Sequence, residues 1–195
     1  MPEAKLIHQL RDSLVGKRLS GTRKSCGLSI FQFGELRQRA ANETFVGETA
    51  LHIVFSPWRV SHRGRIITGN SDYAVDLKGS PIYIDDSASF EEEIEPNKTL
   101  QVHRMSELFP VDLTKPFVAP RSGFVQFPVI HPDVNVFVDN VIVCDSGDLR
   151  ILLTQQIAVE VFRVGTVGEH WRILYPQDRR RAHLSMECDG QLVRD

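Results

Sequence analysis

The sequence has little cysteine and no long apolar run. Its three cysteines, Cys26, Cys144 and Cys188, are odd in number and far apart, and no two of them stand in a CxxC spacing. This pattern predicts neither a disulfide framework nor a thiolate zinc site. No stretch approaches the roughly eighteen apolar residues of a membrane span, and the charged N-terminal segment lacks the apolar core of a secretory signal. We therefore expect a cytoplasmic protein that does not enter a membrane.

A basic excess and the common catalytic motifs are missing as well. Lysine and arginine number 23 against 25 aspartates and glutamates, so the formal net charge is -2. Domains that bind nucleic acid usually carry a strong basic excess, so we expect no nucleic-acid partner. The chain contains no GxSxG, HExxH, EF-hand or GxxxxGK[ST] pattern. These absences predict no catalytic residue, no metal site and no cofactor.

The sequence does contain a clear apolar periodicity. Leu6, Ile7, Leu10 and Leu14 recur at helical spacing, and Gly16 follows them as a helix terminator. A second short helix is predicted near residues 99–109. Elsewhere the period changes to two, which is the spacing of strands that bury one face. A chain of 195 residues is long enough to bury roughly 70% of its unfolded surface.

The segments with period two predict a mainly antiparallel sheet. One hairpin turns near residues 26–27, and a second spans residues 49–69 with its turn at 61–64. Short strands follow in DYAVDL, PIYID and GFVQF. A meander runs from 134 to 175 with a bulge near Asp139, and a last hairpin surrounds residues 189–190. We expect one α+β domain over residues 1–195, with a meander or barrel-like sheet and an acidic, proline-rich surface insertion at about 85–132.

Two Trp-Arg pairs stand in predicted strands, Trp58–Arg59 and Trp171–Arg172. Neighbouring residues of a strand point to opposite faces, so each indole can be buried while each guanidinium stays accessible. Glu160 is expected near Arg172 on an adjacent strand. The favoured interpretation is a cross-strand ion pair that fixes register. The alternative is a polar pocket, and its residues are His52, Arg59, Glu160 and Arg172.

An acidic segment lies between Asp85 and Glu95 and contains no basic residue. Its six carboxylates belong to Asp85, Asp86, Glu91, Glu92, Glu93 and Glu95. Such a segment should remain solvated, and we expect an exposed loop. Its local field can steer a basic partner and speed association without any pocket. These six residues are therefore the predicted partner-binding residues.

Two stretches carry a resemblance, LHIVFSPWRVSHRGRIITGNSD and GDLRILLTQQIAVEVFRVGTVGEHWRIL. They resemble a loose group of small bacterial proteins with a Pro-Trp-Arg element, a downstream Gly and Asp, and a later Gly-Asp-Leu strand leading to Glu-x-Trp-Arg. The matching residues are Trp58, Arg59, Gly69, Asp72, Glu169, Trp171 and Arg172. Such proteins are similar to the immunity and accessory proteins encoded beside bacterial toxins. The resemblance implies no catalytic residues.

Two functions follow from these observations. The first is a non-catalytic bacterial protein-binding module, an immunity-like inhibitor whose partner is a basic toxin bound through the acidic segment. The second is an enzyme or small-ligand binder with a cleft lined by His52, Arg59, Glu160 and Arg172. The absence of catalytic motifs favours the first function.

Overall fold

The structure is a computed structural model, and it describes most of the chain. The described residues are 4–25, 28–38, 45–54, 56–74, 78, 80, 100–109, 111–112, 129–130, 133–165, 168–178, 180–187 and 190–194. The predicted acidic loop and the predicted strands PIYID and GFVQF lie outside these residues. The prediction of an α+β fold with mainly antiparallel sheet is confirmed.

Two α-helices are present among the described residues, α1 (Ala4–Leu14) and α2 (Leu100–Leu108). Both were predicted from helical spacing. In α1, the side chains of Leu10 and Leu14 are fully buried, so the predicted stripe does face the core. Gly16 has a φ of 79° and donates its N–H to the carbonyl of Val138, which turns the chain from the helix into the sheet. Neither helix is long and apolar enough to cross a bilayer.

The described strands are short, with two to seven residues each. They are β1 Leu19–Ser25, β2 Leu28–Phe33, β3 Arg37–Gln38, β4 Phe45–Val46, β5 Thr49–Ile53, β6 Trp58–His62, β7 Arg65–Gly69, β8 Val111–Asp112, β9 Val129–Ile130, β10 Val138–Val143, β11 Leu149–Leu153, β12 Ile157–Val161, β13 Trp171–Leu174, β14 Leu184–Met186 and β15 Leu192–Arg194. All the recorded strand pairs are antiparallel. Short 3₁₀ helices occupy Asn70–Ala74 and Thr154–Gln156.

The described strands form two main sheets and a two-stranded ribbon of β3 and β4. The larger sheet has eight strands in the order β15-β14-β13-β5-β2-β1-β9-β8, and the smaller has five in the order β10-β11-β12-β6-β7. Between them lies one apolar core to which both sheets contribute. The sheets meet where Arg18 bridges Phe137. Among the described residues the ladders do not close into a barrel.

Several local predictions are confirmed. β1 and β2 form the predicted hairpin, and β14 and β15 form the predicted last one. The register of β10 on β11 shifts between Val138 and Asn140, where the interrupted alternation predicted a bulge. Gly147, in the turn between these strands, has the positive φ expected there, 88°. Local patterns were therefore sufficient for these two hairpins and for this bulge.

The predicted hairpin over residues 49–69 is wrong in its first arm. β5 belongs to the larger sheet, where β2 and β13 flank it. The hairpin is formed by β6 and β7 around Arg63 and Gly64. Pro57 has no N–H to continue the ladder of β5. The chain passes from one sheet to the other just before Trp58.

Two further predictions need correction. β13 does not complete the late meander, because it pairs with β5 and β14 of the larger sheet, while β12 pairs with β6. Residues Asn70–Ala74, which overlap the predicted strand DYAVDL, form a 3₁₀ helix. The carboxylate of Asp72 accepts hydrogen bonds from the Thr68 hydroxyl and the Gly69 N–H, and these bonds turn the chain at the end of β7.

The predicted insertion contributes to the core as well as to the surface. Met105 and Phe109 at the end of α2 are buried at 5% and 0% exposure, and Ile130 in β9 is buried at 2%. β9 pairs with β1 in the larger sheet. The sequence predicted that the proline-rich stretch runs over the surface. This prediction is wrong at Val129–Ile130, where the stretch joins the larger sheet and buries Ile130.

Helices cover both edges of the five-stranded sheet. α1 lies against β10, and the Nε of Arg11 donates to the carbonyl oxygen of Val141 at 2.9 Å. α2 lies against β7, and Arg104 donates to the carbonyl oxygen of Ile67 at 3.3 Å. Unpaired edge groups are templates for pairing with another strand. At each edge, one arginine therefore occupies a main-chain carbonyl oxygen that could otherwise accept a hydrogen bond from another strand.

Candidate functional site

The two tryptophans are buried and their arginine neighbours are accessible, as the alternation predicted. Trp58 and Trp171 are 3% and 0% exposed. The side chains of Arg59 and Arg172 are 40% and 35% exposed. In each Trp-Arg pair the indole is therefore buried in the core, and the guanidinium is accessible to solvent.

Each indole also donates a hydrogen bond to the opposite sheet. Trp58, in the five-stranded sheet, donates its Nε1–H to the hydroxyl of Ser29 in β2 at 2.8 Å. Trp171, in the eight-stranded sheet, donates to the carbonyl oxygen of Gly147 at 3.0 Å. The ring of Trp58 also contacts Phe31 edge to face, with centroids 5.1 Å apart. The tryptophans therefore connect the two sheets in both directions.

The four residues of the predicted polar pocket separate into two pairs. Arg59 and Glu160 stand opposite each other on β6 and β12 of the smaller sheet. His52 and Arg172 stand opposite each other on β5 and β13 of the larger sheet. The expected approach of Glu160 to Arg172 is wrong, because β12 and β13 belong to different sheets. This arrangement gives no support to a cleft lined by all four.

Glu160 is the centre of a charged network on the five-stranded sheet. Its carboxylate accepts from the Nε of Arg59 at 2.8 Å and from the Ser61 hydroxyl at 3.2 Å, and it lies 3.3 Å from the Nε of Arg150. The Arg59 guanidinium also lies over the Phe162 ring, 4.8 Å from its centroid. The hydrogen bond from Arg59 lowers the pKa of Glu160 despite the opposing effect of burial, so the group is ionised at neutral pH.

Arg172 has a different carboxylate partner. Its Nε lies 2.8 Å from Oε1 of Glu169, although the two atoms lack the alignment of a hydrogen bond. Its register partners are His52 on β5 and Ser185 on β14. The ion pair therefore joins the strand to the segment that precedes it.

Architectural contacts account for the other residues of the resemblance. Gly69 stands opposite Arg59, and a Cβ on Gly69 would lie 2.9 Å from the carbonyl oxygen of Trp58. Only glycine permits that approach without a shift of the chain. Asp72 lies 3.6 Å from Arg104 of α2 in addition to its bonds at the end of β7. These residues hold strands and helix together.

A second group of polar residues lies where the chain leaves several strands, and the sequence did not reveal it. The Ser56 hydroxyl and Nδ1 of His170 are 3.0 Å apart and both residues are buried. Nε2 of His170 is buried without a hydrogen-bond partner, and so is Nη1 of Arg163. Ser56 and His170 are separated by 114 positions, so spacing could not signal the pair. The only available signal was two glycines, at positions 147 and 190, in predicted turns.

No group of three or more His, Cys, Asp or Glu side chains is arranged to hold a metal ion within the described part of the chain. Burial, with the nearby Arg163 charge, lowers the pKa of His170, so its imidazole is neutral at pH 7. Comparison of the chain with protein-family models, with curated proteins and with solved structures finds no match.

Proposed function

We propose that this chain is a non-catalytic bacterial protein-binding module that contacts its partner through the outer face of the five-stranded sheet. The outer face is defined by Arg59, Ser61, Ile66, Arg150, Leu152, Ala158, Glu160 and Phe162. The observation that carries the proposal is the row formed by Arg150, Glu160 and Arg59 on three adjacent strands. Both arginines are bound by one carboxylate and both remain accessible.

Apolar groups accompany this charged row. Ser61 donates to Glu160 and therefore shares its face, and Ile66 stands opposite Ser61. Ile66 is 55% exposed and therefore adds an accessible apolar side chain to the outer face. Phe162 lies under Arg59. Arginine and aromatic residues are enriched in protein interfaces, so Arg59, Arg150 and Phe162 favour a protein partner.

The geometry of the outer face favours a preorganised contact. Arg59 is held by Glu160 on one side and by the Phe162 ring on the other. A side chain that is already ordered loses less conformational entropy when a partner binds. Glu160 accepts from Nε and Nη2 of Arg59, and because Arg59 and Arg150 are 40% and 52% exposed, we expect their other N–H groups to donate to carbonyl or carboxylate oxygens of a partner. A rigid sheet therefore presents the contact residues in a fixed arrangement.

The acidic segment supplies the long-range part of the proposal. A field of six carboxylates attracts a basic surface over about one Debye length and raises the association rate. The resemblance to immunity proteins supports a specific form of this function, in which a cytoplasmic inhibitor binds a basic toxin. In this form the acidic segment steers the toxin, and the outer face makes the short-range contact.

The experiment that tests the outer face compares two apolar-to-acidic variants. The tagged full-length chain, its Ile66→Asp variant and its Val15→Asp variant are used to capture proteins from native lysate. Val15 is the matched control because it is 45% exposed and directly follows α1, away from the strands of the outer face. We expect Val15→Asp to retain the same partner as the wild type and Ile66→Asp to lose it. Equal capture by both variants, or a wild type without a specific partner, would contradict the proposal.

The acidic segment has its own test once a partner is identified. Glu91, Glu92 and Glu93 are replaced by Lys, and association is measured by stopped flow at low salt. We expect slower association, because the steering field is reversed. A control with the same charge change replaces Asp12, Asp139 and Asp145, which are exposed and distant in sequence. An equal effect in both triple variants would show that only net charge matters.

A further inference from the structure

We propose that the outer face binds an acidic side chain of its protein partner, an aspartate or glutamate carboxylate, at the guanidiniums of Arg59 and Arg150. The site rests on the proposed function, in which the outer face makes the short-range contact, and it specifies the charge that the partner brings to that contact. A partner that is basic overall still carries carboxylates on its surface, so steering by the acidic segment and binding at the arginines are compatible.

The charged row of Arg150, Glu160 and Arg59 points away from the core. The register places Arg150 opposite Glu160 and Glu160 opposite Arg59. Ile151 and Val159, which neighbour these residues along β11 and β12, belong to the core between the sheets. Because neighbouring residues of a strand point to opposite faces, the charged row lies on the outer face. Three adjacent strands therefore fix its positions.

The charged row has an excess of positive charge. It contains two arginines and one glutamate, so one positive charge is left over. Within the described strands, the register partners at its two ends are Ile142 on β10 and Gly69 on β7, which are uncharged. The next row of the same face is also uncharged and consists of Asn140, Leu152, Ala158, Ser61 and Ile66. These two rows therefore attract an anionic group.

The difference in exposure increases this effect for an approaching partner. The side chain of Glu160 is 11% exposed, whereas those of Arg59 and Arg150 are 40% and 52% exposed. A partner that contacts the charged row therefore meets the guanidiniums and not the carboxylate. The accessible part of the row is positive, although the row contains a glutamate.

The carboxylate of Glu160 is already occupied on both oxygens. Oε2 accepts from Nε of Arg59 at 2.8 Å and from the Ser61 hydroxyl at 3.2 Å. Oε1 accepts from Nη2 of Arg59 at 3.4 Å and lies 3.3 Å from Nε of Arg150. A carboxylate offers roughly four acceptor positions, and these contacts use them. A lysine or arginine of the partner would therefore find no acceptor at Glu160.

The arginines, in contrast, can only donate. A guanidinium carries several N–H donors and no acceptor, and its planar edge matches a carboxylate. The recorded contacts to Glu160 use Nε and Nη2 of Arg59 and Nε of Arg150. The outer face therefore combines a filled acceptor with accessible charged donors, and a carboxylate is the protein group that complements these donors.

The surroundings of the arginines favour a protein carboxylate over the phosphates of a nucleic acid. The Phe162 ring lies 4.8 Å from the Arg59 guanidinium carbon, and Ile66 is 55% exposed on the same face. Nucleic-acid binding depends on neutralising several phosphates with a basic surface, and the two rows have only one positive charge in excess. An acidic side chain with an apolar neighbour fits this mixture of groups.

The direct test needs no identified partner. The full chain is titrated at constant ionic strength with acetyl-Leu-Glu-Phe-amide and, separately, with acetyl-Leu-Lys-Phe-amide, and the Nε–H NMR signals of the arginines are followed. We expect the glutamate peptide to shift the signals of Arg59 and Arg150 in a saturable manner, and that of the exposed Arg180 much less. Equal or larger shifts with the lysine peptide, or no saturable shift with the glutamate peptide, would overturn the proposal.

A third titration uses a DNA duplex as the probe. We expect weaker effects on Arg59 and Arg150 than with the glutamate peptide. Tighter binding of the duplex at these two arginines would assign the face to nucleic acid and rule out the protein carboxylate.

The partner captured by the wild type provides a quantitative test. Arg150→Gln should weaken its affinity at least about tenfold, because the variant removes one charged donor. The variant keeps the bond between Arg59 and Glu160, and circular dichroism verifies its fold. Arg180→Gln makes the same charge change at an exposed arginine between β13 and β14 and should bind as the wild type does. Arg150→Lys should bind with intermediate affinity, because it keeps the charge but not the planar edge.

The outcomes separate this proposal from the proposed function. If Ile66→Asp loses the partner while a folded Arg150→Gln binds as the wild type does, the outer face is the interface and the carboxylate alone is wrong. If Ile66→Asp keeps the partner, the proposed function is wrong, and with it the carboxylate of the partner.

Discussion

Glu160 binds arginines from the strands on both sides of it and stays ionised because of them. Its side chain is 11% exposed, whereas those of Arg59 and Arg150 are 40% and 52% exposed. A network of this kind lies between a surface ion pair, which contributes little, and a buried pair, which is costly to break. Solvent around the two arginines weakens their attraction to the Glu160 carboxylate. The Ser61 hydroxyl donates one further hydrogen bond to that carboxylate.

The pKa of Glu160 predicts a pH-dependent contribution to stability. Because the folded-state pKa is lowered, the contribution is present above the ordinary glutamate value of about 4.3 and is lost as the pH falls through the folded-state pKa. We expect Glu160→Gln to lose about 1–2 kcal/mol of unfolding free energy near neutral pH. The difference from the wild type should shrink in acid. Urea unfolding at several pH values measures both effects.

The control for this prediction is Glu35→Gln. Glu35 also pairs with an arginine, Arg37 at 3.3 Å, but both side chains are about two-thirds exposed, at 68% and 66%. Its loss should change stability by well under about 1 kcal/mol. A pH-independent loss in Glu160→Gln would contradict the charged origin of the effect.

Sequence reasoning at the residue scale succeeded where the cause was local. The inward indoles and outward guanidiniums follow from the alternation of a single strand, and Trp58 and Trp171 obey it. The partner of Glu160 could not be found in the same way, because it depends on which strands are neighbours. The Ser56–His170 contact could not be predicted for the same reason, since 114 positions separate the two residues.

At the scale of elements, the covering of the sheet edges has a testable consequence. Arg11→Met keeps most of the aliphatic side chain but removes the hydrogen bond to the β10 carbonyl. We expect this variant to associate through the edge of β10 and to form larger species than the wild type as concentration rises. Size-exclusion chromatography with light scattering measures the change.

The same helix provides the control for the edge. Lys5 is exposed in α1, so Lys5→Met adds the same apolar side chain without uncovering β10. It should elute as the wild type does. If both variants associate equally, the added methionine is responsible and Arg11 does not protect the edge.

The elements themselves were predicted better than their pairing. The boundaries of β1, β2 and α1 follow from apolar spacing and glycine, which act over a few residues. The pairing of β5 with β13 joins distant parts of the chain, and it is determined by the common core and not by either strand alone. Pro57 marked the end of a ladder correctly, but its sequence context did not reveal that the chain changes sheets there.

At the scale of the whole molecule, the reciprocal indole bonds should make the two sheets unfold together. Trp58→Phe leaves only the indole of the eight-stranded sheet, and Trp171→Phe leaves only that of the five-stranded sheet. Each variant should lose on the order of 1 kcal/mol with its hydrogen bond. Within each variant, tryptophan fluorescence and far-ultraviolet circular dichroism should give the same urea midpoint.

These paired variants serve as controls for each other. In Trp58→Phe the fluorescence reports on the eight-stranded sheet, and in Trp171→Phe it reports on the five-stranded sheet. In both variants circular dichroism reports on the backbone of both sheets. A fluorescence transition that precedes the backbone transition in either variant would mean that one sheet opens separately, and the shared core would then not couple them.

The change of sheets after β5 also governs how the protein is made. β5 and β6 leave the ribosome early, but β13 and β12, which complete their ladders, come about a hundred residues later. At a synthesis rate of roughly 5–20 residues per second, the nascent strands wait several seconds with apolar faces uncovered. Neither sheet can be completed before most of the chain has been translated. The topology therefore makes this interval the stage of synthesis at which the chain is most prone to aggregation.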